Sequence, residues 1–146
     1  MLKAVDVARY FLCQVNSDDA GDLISNLKLQ KLLYYAQGFS LALLGKPLFS
    51  EPIEAWTHGP VVPSVYQVYK DYSASAIPCP IDLDFDSFDP EVLELLDEVY
   101  AVYGQFSAWK LRDMTHEEAP WIQTPQGQEI SHDKMVEYFQ TQLVAA

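Results

Sequence analysis

The chain has 146 residues, 49% of them hydrophobic and 13% aromatic, with a formal net charge of -12 from 21 acidic and 9 basic residues. That length suits one hydrophobic core, and the apolar content exceeds what an acidic disordered tail carries, so the charge belongs on a folded surface. An acidic surface repels phosphate backbones and anionic headgroups, which argues against direct DNA or membrane binding.

The two cysteines, Cys13 and Cys79, do not have the spacing of a disulfide framework, and a reducing cytoplasm is expected. Residues 1–9 carry alternating charge without an apolar h-region, so no signal peptide is read there. The most apolar run, residues 32–44, contains Gln37 and Ser40 and is too short to cross a bilayer.

In chain order, residues 3–14 place Ala4, Ala8, Phe11, Leu12 and Val15 at helical spacings, and the Asn, Asp, Ser and Gly of residues 16–21 end that helix. Ser25 or Asn26 caps a second helix over about 26–44, stopped by Gly45 and Pro47. Its stripe of Leu29, Leu32, Leu33, Ala36 and Leu43 is joined by Tyr34, Tyr35, Phe39, Leu41 and Leu44. The second half of this central helix is therefore expected to be surrounded by protein, with Leu33 and Ala36 in the core. Residues 48–49 and 53–57, bounded by Pro47, Pro52 and Gly59, suggest a short two-strand hairpin within about 48–57. Pro63 opens a third helix to about residue 72, carrying Val65, Tyr66, Val68 and Tyr69.

Residues 73–87, with Pro78, Pro80 and alternating aspartates, form an irregular connection. Asp89 and Pro90 start an amphipathic helix with Val92, Leu95, Leu96, Val99 and Tyr103 opposite Glu91, Glu94 and Glu98. Ser107 caps a helix to about Met114, residues 119–121 form a loop, and Ser131 caps a last helix carrying Met135, Val136, Phe139 and Leu143. The fold class is mainly α, a single multi-helix domain over residues 1–146.

Several catalytic or metal patterns begin and fail. His116-Glu117 has Pro120 where a zinc helix needs its second histidine. Asp82, Asp84 and Asp86 lack the glycine and glutamate of a calcium loop, since Ser87 and Leu93 stand there. Ser131 and Lys134 match Ser-x-x-Lys without its companion motifs, and Ser131 reads as a helix cap. No spacing demands a constellation of His58, Asp71 and Tyr66. His58 reads as a hydrogen-bonding histidine at a tight turn and Trp121 as a core plug, yet tryptophan and tyrosine are also the residues most enriched at binding hot spots. No cofactor or metal is expected, and Lys28, Lys31 and Lys110 are too few for DNA unless they cluster with Arg9 or Arg112.

Three segments in order, LKLQKLLYYAQGFSLALLGKPLF at residues 27–49, EAWTHGPVVPSVY at 54–66 and THEEAPW at 115–121, resemble the SocA-like, or Panacea, antitoxin family. The resemblance implies a cytoplasmic antitoxin domain, bacterial or prophage-encoded, that neutralises a partner toxin by direct binding or as an adaptor to a Clp-type protease. It implies no enzyme, and no fused DNA-binding domain is expected. Aromatic density and the resemblance together nominate Tyr34, Trp56, His58, Tyr66 and Tyr69 as partner contacts. Leu143, Val144, Ala145 and Ala146 resemble the small apolar tails that Clp-type unfoldases engage, at a helix end that frays. Two alternatives stay open: a phage protein that binds a host factor, and a small hydrolase or transferase using His58 or His116.

Overall fold

The computed structural model describes residues 1–14, 24–80 and 85–143. Seven α-helices stand among them, α1 (Ala4–Leu12), α2 (Asn26–Leu43), α3 (Pro63–Tyr69), α4 (Pro90–Tyr103), α5 (Ala108–Thr115), α6 (Ala119–Ile122) and α7 (His132–Thr141), with strands β1 (Glu54–Trp56) and β2 (Gly59–Val61). Helix α2 is the hub, packed against α1, α3, α4, α5, α7 and β2. No helix of the described residues is long and apolar enough to cross a membrane.

Local chemistry sets most of these boundaries. The hydroxyls of Ser25, Ser107 and Ser131 accept from the backbone N–H groups of Lys28, Lys110 and Lys134, which otherwise lack intrahelical partners. Pro63 and Pro90 stand in first turns, where no N–H is needed. Asp89 occupies the cap position of α4 in extended backbone, although its side chain makes no cap bond. Helix α3 tightens into a 3-10 turn over Lys70–Tyr72, which accounts for the predicted end near residue 72. The 119–121 segment, read as a loop, is instead the short helix α6, because Pro120 fits a first helical turn.

Leu33 and Ala36 are fully buried, as expected. The second half of α2 is enclosed as far as Leu41, with Tyr35, Ala36, Gln37, Gly38, Ser40 and Leu41 buried. Phe39 and the end of the helix depart from this, since Phe39 and Leu44 are only partly covered and Leu43 is 55% exposed, while the polar Lys28, Gln30, Lys31 and Gln37 lie inside along the helix. These polar residues are buried because each meets a backbone group. Lys28 Nζ donates to the Gly104 carbonyl at 2.6 Å and Lys31 Nζ to the Pro60 carbonyl at 3.0 Å. Gln37 donates to the Phe49 carbonyl and accepts from Leu48 N–H, both at 2.8 Å, and Gln30 Oε1 accepts from Val62 N–H at 2.9 Å. A buried unpaired amide or carbonyl costs about 1–3 kcal/mol, so these side chains fasten the loops to the hub.

The hairpin also lies later than predicted. β1 pairs antiparallel with β2 in the register Trp56↔Gly59, while Phe49 forms a bridge with Leu2 instead. The far side of β1 is covered by the segment before α7: Ala55 N–H donates to the Gln128 carbonyl at 2.9 Å and Ile130 N–H to the Ile53 carbonyl at 2.7 Å. On β2, the carbonyl of Pro60 and the N–H of neighbouring Val62 are taken by Lys31 and Gln30. This coverage protects a short sheet from pairing with another chain.

The reading of the cysteines is corrected. Cys13 and Cys79, 66 residues apart in sequence, are joined in a disulfide with Cα atoms 4.8 Å apart. The fold brings the end of α1 beside the proline-flanked connection, a proximity that sequence spacing does not show. The cysteines consequently give no support to a reducing compartment.

Candidate partner-binding site

The site is assembled where the β1–β2 turn meets the first half of α2 and helix α5. Gly59 stands at φ +107, a conformation side chains rarely adopt, and a Cβ there would lie 2.6 Å from Thr115 Oγ1 and 2.7 Å from Lys31 Cε. Only glycine lets the turn come this close to both helices. The apposition puts His58 within reach of α5, where Arg112 Nε donates to His58 Nδ1 at 3.1 Å. Arg112 also lies 4.5 Å above the ring of Trp109 and pairs with Asp113 at 3.0 Å. Trp109 is 56% exposed, so an indole and a guanidinium are held in fixed orientation at the surface.

Beneath the turn, His116 stacks on Trp121 with ring centroids 4.1 Å apart, and the Trp121 indole N–H donates to the Trp56 carbonyl at 2.8 Å. Burial and then the charge of Arg112 push the His116 pKa down, and its Nε2 has no hydrogen-bond partner among the described residues. Lys31 is depressed to about 7, mainly by burial, with the Arg112 charge adding to the effect.

A groove of about 550 Å³ opens beside this cluster, lined among others by Trp56, His58, Val61, Tyr66, Lys70 and Gln126. Trp56 and Tyr66 meet edge to face with centroids 5.0 Å apart. Among the described residues, no aspartate or glutamate lines the groove.

Of the five nominated contact residues, the structure brings Trp56, His58 and Tyr66 together in this groove. The other two are buried. Tyr34 is fully buried, its hydroxyl donating to Glu118 Oε1 at 2.9 Å, and Tyr69, at the end of α3, is only 8% exposed. Tyr34 belongs to a polar core: the Tyr35 hydroxyl donates to Glu118 Oε2 at 2.7 Å, and Tyr138 also bonds that carboxylate. Burial raises Glu118 to about 7 against the opposing pull of these hydroxyls. The tail nominated for degradation begins at exposed Leu143, and Val144, Ala145 and Ala146 lie outside the described residues, as do Asp82 and Asp84.

Sequence reading missed Trp109, Arg112 and Lys70 as members of the site. Trp109 and Arg112 are spaced i, i+3 on one helix, a visible signal, but nothing local tied them to His58, which is 54 residues from Arg112.

The model of the family described as antitoxin SocA-like, Panacea domain, matches residues 29–122. The chain belongs to the SocA-like Panacea family. It is also 36% identical over 109 residues to Antitoxin SocA of Caulobacter vibrioides (strain NA1000 / CB15N), an alignment that covers 67% of this chain and 58% of that protein. The chain thus spans less than two-thirds of that relative's length. No solved structure matches the chain. The Panacea segment contains the core of the site, from Lys31 through Trp56, His58, Gly59 and Tyr66 to Arg112, Glu118 and Trp121. Helices α1 and α7 lie outside the matched segment and pack on its α2.

Proposed function

We propose that this Panacea domain is an antitoxin module that neutralises a partner toxin by direct binding, and that it is not a catalyst. The observation that carries the reading is the continuity of the Trp109–Arg112–His58 cluster with the groove of Trp56 and Tyr66, joined through His58. Tryptophan, tyrosine and arginine held rigid before binding lose little entropy on association and supply most hot-spot energy. A hydrolase built on His58 would set a carboxylate against its imidazole; the observed partner is a guanidinium donating to Nδ1.

The test is co-expression with the product of the adjacent gene as toxin, scoring growth, followed by co-purification. Trp56→Ala and Arg112→Ala, in proteins with unchanged circular dichroism, should each weaken the complex by about 2 kcal/mol, roughly 30-fold, and reduce rescue. Direct neutralisation predicts that rescue persists in cells lacking Clp-type proteases. Rescue that disappears with the protease would replace direct binding by the adaptor mechanism, and full rescue by both variants would move the interface elsewhere.

A further inference from the structure

The groove differs in charge from the rest of the surface. Of nine Lys and Arg residues, six are engaged with other groups of the fold: Lys28 and Lys31 on buried carbonyls, Lys134 on the Gln123 carbonyl, Lys46 beside Glu91, Arg9 beside Asp6 and Arg112 beside Asp113. Among the remaining three, Lys70 lines the groove, and the ion-paired Arg112 also holds the groove's His58. The chain has 21 acidic residues, yet none of the described ones lines this groove. A basic side chain entering it would face Lys70, whereas an acidic one would gain a charge-assisted contact with Lys70 beside an apolar wall, with the Glu54 carboxylate, which accepts the Trp56 indole N–H at 2.9 Å, outside the groove lining.

We propose that the groove receives a short segment of the partner protein in which an aliphatic or aromatic side chain neighbours a carboxylate, the apolar group lying on Trp56, Val61 and Tyr66 and the carboxylate reaching Lys70. The inference rests on the binding-module reading and deepens it. The net charge alone points to a basic partner; the groove selects an acidic and apolar element within that partner. Several polar side chains around the groove already have internal partners. Gln30 is shared between Val62 N–H and Asn26, and Gln126 Nε2 donates to Thr57 Oγ1 at 2.6 Å. Lys70 has no ion-pair partner among the described residues and is exposed, so its ammonium is available at little desolvation cost.

The test uses the full chain, isotopically labelled, and three blocked pentapeptide probes: Ac-Ser-Asp-Phe-Asp-Leu-NH2, its version with asparagines for the aspartates, and its version with lysines there. The aspartyl probe should shift the Trp56 indole and the Tyr66 and Lys70 amides, binding at least about fivefold more tightly than the asparaginyl probe. Lys70→Glu should remove that preference and Lys70→Arg should keep it. Equal binding of the aspartyl and asparaginyl probes, tighter binding of the lysyl probe, no shift at Trp56 with millimolar peptide, or the same shifts from inorganic phosphate would each overturn the proposal. Toxin rescue lost in Trp56→Ala but intact in Lys70→Glu would overturn the acidic segment and leave the antitoxin reading standing. A wild-type chain that shows the peptide preference but fails to rescue would do the reverse.

Discussion

Lys31→Met tests whether the hub helix carries a buried charge for structural reasons. The Lys31 pKa falls from 10.5 to about 7 in the fold, so between those values the unfolded chain holds a proton that the folded chain releases. Stability therefore rises with pH across that window, by up to about 1.4 kcal/mol per pH unit. The accumulated penalty is on the order of 5 kcal/mol below the folded pKa and vanishes above the unfolded one. Methionine keeps much of the stem volume and removes the charge, but leaves the Pro60 carbonyl without its 3.0 Å donor, a loss of about 1–3 kcal/mol. The variant should be more stable than wild type by about 2–4 kcal/mol below pH 7 and less stable by about 1–3 kcal/mol above pH 10.5, with the sign changing between about pH 8 and pH 10. Urea unfolding of both proteins, followed by tryptophan fluorescence from about pH 6.5 to about pH 10.5, measures the difference; carboxylates and tyrosines common to both largely cancel. A difference independent of pH would refute the reasoning, because Lys31 would then titrate alike in the folded and unfolded states.

Glu118 has the opposite sign. Its pKa is raised from 4.5 to about 7, so its contribution is fully present below pH 4.5 and is lost as pH rises through 7. Glu118→Gln should therefore gain about 3 kcal/mol relative to wild type across that window, read from urea midpoints at its two ends. In the contact between α2 and α7, a Cβ on Gly38 would lie 2.1 Å from Phe139 Cε2. Gly38→Ala should destabilise by about 1–3 kcal/mol despite the helix propensity of alanine, and Phe139→Leu added to it should recover part of the loss in thermal melts. Reducing the Cys13–Cys79 bond, which closes a separation of 66 residues, should cost about 4 kcal/mol. Melting with and without dithiothreitol measures this, and Cys79→Ser should be insensitive to the reductant.

The helices were legible because their signals are local. Ser25, Ser107 and Ser131 cap, Pro63 and Pro90 open, and the α4 stripe of Val92, Leu95, Leu96 and Val99 is buried as its spacing demands. Part of the site was legible too, since Trp56, His58 and Tyr66 are concentrated in one short motif that folds back on itself. Aromatic density could not separate them from Tyr34 and Tyr69, whose burial depends on which helices arrive from elsewhere in the chain.

Residue type and spacing by themselves determined where α2 begins and ends, and that Leu33 and Ala36 face inward, because caps and apolar periodicity act within a few residues. Only the tertiary structure decided that Lys28, Gln30, Lys31 and Gln37 are interior, that Cys13 meets Cys79, and that Arg112 reaches His58. Each of those outcomes depends on a carbonyl, amide, thiol or imidazole brought from a distant part of the chain, and a polar side chain can be buried only once such a partner is in place.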